Sequence, residues 1–410
     1  MKFSTQASLL SIGLVAPFAS AAPFRRAADA NTMLVLQFAN VLEQLETQFY
    51  SQALSTFQAS DFTTAGFTDA QIPIEQFTAI SIDESTHTTV LTQAITDQGA
   101  TPLAGCSFDF SSVLTDVTTM ATTARLVENV GVGAYLGAAH LVTDPVLLTA
   151  AASIMTVEAR HQTMLNVLTA SGTAIPQAFD IPLTPPEVLA IAGGFISGCD
   201  TGVTANPSLA VTNTGSVSAG TSLTFSTAAI NGSSDTSNFA CQMLTGGASF
   251  AIALPLSACV VPQGLTGPVA IFITSDMDPL AGDPIDRATS QLVAGPTMAF
   301  LDTTPQTINS LVRSSSGSSS SGSSDASAAT TAVSTSTIDV ASASAVVSSA
   351  EAAGATVVSA ASATATGTTS VAANAGQFDV VAFPGGPNEY VGPSADGTVF
   401  INGWSSSPLS

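Results

Sequence analysis

The chain has 410 residues, a hydrophobic fraction of 45% and a formal net charge of −22 at pH 7. That length and apolar content allow two domains with a sizeable core and exclude a small scaffold held only by disulfides. Past Arg26 the only basic residues are Arg125, Arg160, Arg287 and Arg313, and so acidic a chain excludes nucleic acid and anionic membrane surfaces as partners.

Residues 1–22 have the parts of a secretory signal: Lys2, an apolar run through Leu9, Leu10 and Leu14, and the small residues Ala19-Ser20-Ala21. Arg25-Arg26 follows, and residues 23–30 read either as a short propeptide ending near a dibasic cleavage point or as ordinary chain with a basic pair. Across residues 31–198 apolar side chains recur at three- and four-residue steps between Pro and Gly breaks. This spacing predicts helices near 32–56, 70–98, 112–139 and 143–171, and a shorter one after Pro185-Pro186 that ends before Gly198. Residues 199–312 turn to Thr, Ser, Val and Gly, with strand-like runs at Ser222 to Ser226, Ser249 to Leu254 and Val269 to Ser275, and predict a small β-sandwich-like domain.

Residues 313–375 are almost entirely Ser, Ala, Thr, Gly and Val, too few large apolar groups to offset ordering entropy, and predict a disordered stalk suited to O-glycans. The tail 376–410 regains Phe378, Phe383, Tyr390, Phe400 and Trp404 between turn-forming pairs and reads as a small strand-rich unit. The fold class is therefore mainly α: a four-helix bundle, a small β domain and a disordered Ser/Ala/Thr-rich stalk. No stretch past the signal is long and apolar enough to span a bilayer, and no hydrophobic tail marks a lipid anchor. The expected location is outside the cell or in the cell wall, with stalk and tail as the wall-associating parts. Four cysteines suit an oxidising compartment and allow three pairings. A Cys106 to Cys199 bridge would tie the link between helices two and three to the end of the bundle, leaving Cys241 to Cys259. Asn231-Gly-Ser233 is a glycosylation sequon. The acidic stretch Asp276, Asp278, Asp283 and Asp286 matches no calcium-loop spacing and reads as a solvated loop.

Two of the three histidines follow a glutamate by three residues: Glu84-Ser-Thr-His87 and Glu158-Ala-Arg-His161. On a helix that offset puts the carboxylate and the imidazole on one face. The third, His140, reads as a cap at the end of helix three. The surroundings also repeat. Ala39-Asn-Val-Leu-Glu43 through Tyr50 to Ala53 lies over Ala124-Arg-Leu-Val-Glu128 through Tyr135 to Ala138, and Glu84 to Leu91 lies over Glu158 to Leu165. The bundle is thus two copies of one helix pair. The repeat selects Glu43 rather than Glu46, since Glu128 answers Glu43 while Gly131 answers Glu46. Glu46 is left as a neighbour of the ligands or a solvated residue.

One glutamate from each of two helices plus a Glu-x-x-His from each of two others is the ligand pattern of dinuclear carboxylate bundles. The expected metal ligands are Glu43, Glu84, His87, Glu128, Glu158 and His161. Four carboxylates balance two divalent ions. Oxygen-rich ligation with one imidazole per ion suits iron or manganese, and zinc also fits. Tyr50 and Tyr135, each seven residues after a ligand glutamate, are expected to hydrogen-bond metal-bound carboxylates.

At Leu42 to Tyr50, Val127 to Ala138, Val157 to His161, Phe179-Asp180 and Gly198-Cys199 the sequence resembles the ferritin-like domain family that includes fungal secreted stress-response proteins and plant desiccation-related proteins. The resemblance covers residues 30 to about 200 and implies a ferritin-like bundle. The additional domain and stalk exclude a closed iron-storage cage and leave a monomer or small oligomer. Three readings stay open: a diiron or dimanganese oxidoreductase using oxygen or peroxide, a non-catalytic metal binder, and a cell-wall structural protein that keeps the bundle as a fold.

Overall fold

The computed structural model describes residues 28–313, apart from 170–171, 231, 233–234 and 303–305, and beyond them only the backbone of Gly392–Pro393 and Phe400–Ile401, which pair antiparallel. The signal and propeptide segment, the sequon residues Asn231 and Ser233, the stalk after Arg313 and the rest of the tail lie outside the described residues.

Four long helices form the bundle: α1 (Ala30–Thr56), α3 (Gln71–Asp97), α4 (Val117–Ala138) and α5 (Pro145–Leu168), with a short α2 (Ala59–Thr64) between the first two. Their starts follow from local chemistry. Asp29, Asp116 and Asp144 each turn a side-chain oxygen onto free backbone N–H groups at the first turn of α1, α4 and α5, and Pro145 opens α5 where no N–H is needed. α1 packs on α3 and α4 on α5, and the two hairpins close on each other through α1 with α4 and α3 with α5. This is the arrangement that an internal duplication of a helix pair dictates.

The long link from α3 to α4 carries β1 (Ser107–Phe108), which pairs with β2 (Ile196–Ser197) after α6 (Pro185–Ala192). The Cys106–Cys199 disulfide fastens the same two segments, and Cys241–Cys259 closes the second bridge. Two further residues each form β3 (Ala210–Val211) and β4 (Phe225–Ser226), an antiparallel pair. The main sheet has four antiparallel strands in the order β6 (Ile252–Pro255), β5 (Ala240–Thr245), β7 (Gly267–Thr274) and β8 (Leu292–Leu301).

Side chains alternate across this sheet. Leu244, Ala270 and Phe272 pack with Phe38, Leu42, Val130 and Ala134 of the bundle, so one face of the sheet lies on the α1–α4 seam. Cys241, Met243, Val269 and Ile271 face the other way, under Leu223, Val211 and Phe225. The segment 181–183 lies directly against α4: Leu183 N–H donates to Gly133 O at 2.9 Å, and a Cβ at Gly137 would sit 2.0 Å from Leu183 O. Glycine is therefore required at position 137.

Three of the four arginines past Arg26 fasten the sheet region to the helices. Arg125 of α4 donates through both terminal nitrogens to Asp302 at 2.7 Å and lies over the Phe300 ring. Arg287 donates to Glu187 of α6 at 2.6 Å. Arg313, following α7 (Thr307–Val312), donates to Leu168 O at the end of α5 and to Ala65 O after α2. Among the described residues no helix is long and apolar enough to cross a membrane.

Candidate metal centre

The six residues singled out by the repeat come from four helices: Glu43 from α1, Glu84 and His87 from α3, Glu128 from α4, and Glu158 and His161 from α5. None is more than 8% exposed. They meet as two groups, Glu43, Glu84, His87 and Glu158, and Glu84, Glu128, Glu158 and His161. Within each group the ligand atoms lie within 4.8 Å of one another. Glu84 and Glu158 belong to both. His87 Nδ1 is 3.2 Å from Glu43, 3.3 Å from Glu84 and 3.2 Å from Glu158. His161 Nδ1 is 2.9 Å from Glu84 and 3.2 Å from Glu128.

The donor set fits a metal, and the polar atoms say why. Among the described residues Glu84 Oε1 and both oxygens of Glu158 are buried with no hydrogen-bond partner; Glu84 Oε1 faces His161 Nδ1 and Glu158 Oε1 faces His87 Nδ1, neither with the alignment of a hydrogen bond. Buried carboxylate oxygens left without partners are costly unless a cation or a proton takes them. In the metal-free chain protons do so. Burial, then repulsion from Glu128, pushes Glu84 up to about 8, and burial with repulsion from Glu84, Glu128 and Glu43 holds Glu158 well above the usual carboxylate range. Burial opposes the charged form of both imidazoles, but their carboxylate partners outweigh it. Glu158, Glu43 and Glu84 push His87 up to about 12, and Glu128 and Glu84 push His161 up to about 11. Metal ions would replace this proton charge.

The tyrosines act across the seam rather than along their own helix. Two turns on one helix separate groups by about 10 Å, so Tyr50 of α1 donates to Glu128 of α4 at 2.5 Å, and Tyr135 of α4 donates to Glu43 of α1. Each fixes one glutamate that belongs to a single group. Burial and the neighbouring carboxylates raise both phenols well above their ordinary range, so they stay protonated donors. His140, by contrast, is exposed in the 3-10 turn that ends α4, away from the centre.

Two residues gain a role that the sequence left open or missed. Asp83, half exposed on α3, holds His161 Nε2 at 3.2 Å, fixing which nitrogen faces the carboxylates. Its counterpart in the repeat is Val157, so only the second group has this support; the signal was an acid next to Glu84 that breaks the repeat. Glu46 is only 3% exposed, so it is not solvated. Gly131 makes room for it, since a Cβ there would meet Glu158 Oε2 at 2.9 Å and Glu46 Oε1 at 3.1 Å. Burial and four neighbouring glutamates, Glu158 foremost, raise the Glu46 carboxyl well above its usual range. Asp276, Asp278, Asp283 and Asp286 belong to neither ligand group.

Residues 31–171 match the family model of the ferritin-like domain. No curated protein matches the chain.

Proposed function

We propose that this chain, whose residues 31–171 form a ferritin-like domain, is a secreted dinuclear metal protein that reacts with dioxygen or peroxide. The observation that carries the reading is the sharing of Glu84 and Glu158 between the two ligand groups. Two groups with a shared pair of carboxylates suit two ions, and Glu84 and Glu158 would help to hold both. Glu43 and His87 would complete the donor set of one, Glu128 and His161 that of the other. The oxygen-rich set with one imidazole per ion suits iron or manganese, and zinc also fits. Redox-active ions there would supply the electrons that reduce the oxidant. The chain's own residues do the rest. Tyr50 and Tyr135 orient Glu128 and Glu43 through their hydroxyl protons, Asp83 holds the His161 tautomer, and the apolar bundle keeps bulk water off the carboxylates.

The resemblance to secreted stress-response and desiccation-related proteins supports a setting outside the cell and a link to stress, and the two disulfides fit an oxidising compartment. The stalk and tail would tether the domain at the cell wall. The test is metal analysis of the protein from its native host, followed by absorbance on adding Fe(II) and oxygen. Two metals per chain and an oxygen-dependent absorbance are expected, and fewer than one metal under replete conditions refutes the reading. A second reading rests on the enclosure of the six ligands, none above 8% exposed: the metals are held for stability or sequestration without turnover. A metal that never changes redox state, with a melting temperature that falls strongly on chelation, distinguishes it.

A further inference from the structure

Between α1 and α4 a narrow cleft leads into the centre. Its walls are Val35, Phe38, Ala39, Leu42, Ala134 and Ala138, and it ends on Glu43, Glu46 and Gly131. From Val35 to Glu46 it follows α1 for eleven residues, about 16 Å at helical rise. The sheet domain packs over its Phe38, Leu42 and Ala134 side, while Tyr135 is the partly exposed residue of its lining. The room in it is about 20 Å³, enough for one small molecule.

Two features decide what kind. A water needs two to four polar partners; the six wall residues offer no polar side chain, and the one hydroxyl of the lining, that of Tyr135, already donates to Glu43, so water and ions gain little along the cleft. At its inner end stands Glu46, 97% buried by its 3% exposure and without a hydrogen-bond or ion-pair partner among the described residues. Gly131, by lacking a side chain, keeps that end open onto both Glu46 and Glu158.

We propose that the α1–α4 cleft is the passage by which a small uncharged gas, dioxygen, reaches the carboxylate centre, with Glu46 and Gly131 as its inner end. This deepens the functional reading given above and rests on it for the destination of the gas. The cleft favours the diatomic over peroxide, which would travel the apolar stretch without hydrogen-bond partners. The sheet domain then serves the centre by covering one flank of the passage.

Xenon, an apolar atom of similar size, reports on the cleft whether or not metal is bound. Crystals of the full chain pressurised with xenon should show anomalous density between Ala39 and Ala134. Density elsewhere only, or none, overturns the proposal. Ala39→Leu and Ala138→Leu, made separately, each place an isobutyl group in the cleft away from the ligands. For any variant whose melting temperature matches the parent, xenon density should vanish and oxygen-driven Fe(II) oxidation should slow at least tenfold at unchanged metal content. Rates equal to the parent's in both variants overturn the passage. Metal content measured beforehand on the parent separates the two claims, since a chain that binds no metal refutes the metal centre while the xenon map still decides the cleft.

Discussion

Replacing Glu158 with glutamine should stabilise the metal-free protein while removing its capacity for a metal pair. The side chain is fully buried, neither oxygen has a hydrogen-bond partner among the described residues, and Glu84, Glu128 and Glu43 repel its charge. In the native state it therefore keeps its proton, whereas in the unfolded chain it releases it near 4.5. Folding at pH 7 must then take up a proton that the unfolded chain has released, a cost whose ceiling over the 7 − 4.5 = 2.5 pH units is about 3.5 kcal/mol at roughly 1.4 kcal/mol per unit. At pH 5 the cost is under about 1 kcal/mol. Glutamine has nearly the same shape and needs no proton. The assay is urea unfolding of chelated parent and Glu158→Gln proteins at pH 5 and pH 7. The variant should be more stable, by a margin that grows between the two pH values. With metal restored the order should reverse, because the parent regains a shared ligand. A chelated variant less stable than the parent, or a margin independent of pH, refutes the account of the centre as a metal site held open by buried protons.

Other outcomes follow from the same geometry. In chelated parent protein, stability should fall as pH rises from about 4.5 to about 8, because the fold keeps a proton on Glu84 that the unfolded chain has lost; a rise over that range contradicts it. Metal uptake must expel these protons, so calorimetry in two buffers of different ionisation heat should count protons released, and affinity should weaken from pH 8 to pH 5. Asp83→Asn should weaken one of two metal-binding steps about 10- to 100-fold and leave the other, since among the described residues His87 has no equivalent partner; equal weakening of both steps would count against the asymmetry. Asp302→Ala strips the carboxylate from buried Arg125 and should cost about 3–5 kcal/mol in chemical unfolding with metal content unchanged.

The helices were legible because their signals are local. Apolar spacing and Pro or Gly breaks mark all four, and the Glu-x-x-His offset places ligand pairs on faces without any tertiary information. The internal repeat reached further: it singled out Glu43 over Glu46, and the structure brings Glu43 into the His87 group. Three features stayed hidden because they depend on approach between distant segments. Glu46 is buried beside Gly131 of another helix, which leaves room for it by lacking a side chain. Asp83 supports a histidine 78 positions away, across the α3–α5 contact. The packing of Leu244, Ala270 and Phe272 on the α1–α4 seam cannot be read from strand alternation, which reports that a face is buried and not what buries it. Tyr50 and Tyr135 fall between these cases, since their spacing marked them while their partners on the opposite helix required the antiparallel register of α1 and α4.

The most direct test of the paired centre is anomalous diffraction from crystals of the full chain soaked with Mn(II) or grown with Fe(II). Two peaks are expected, each between the carboxylates of Glu84 and Glu158, one beside Glu43 and His87 and the other beside Glu128 and His161. A map with no peak among these six side chains, in crystals where the metal binds elsewhere, would contradict the account.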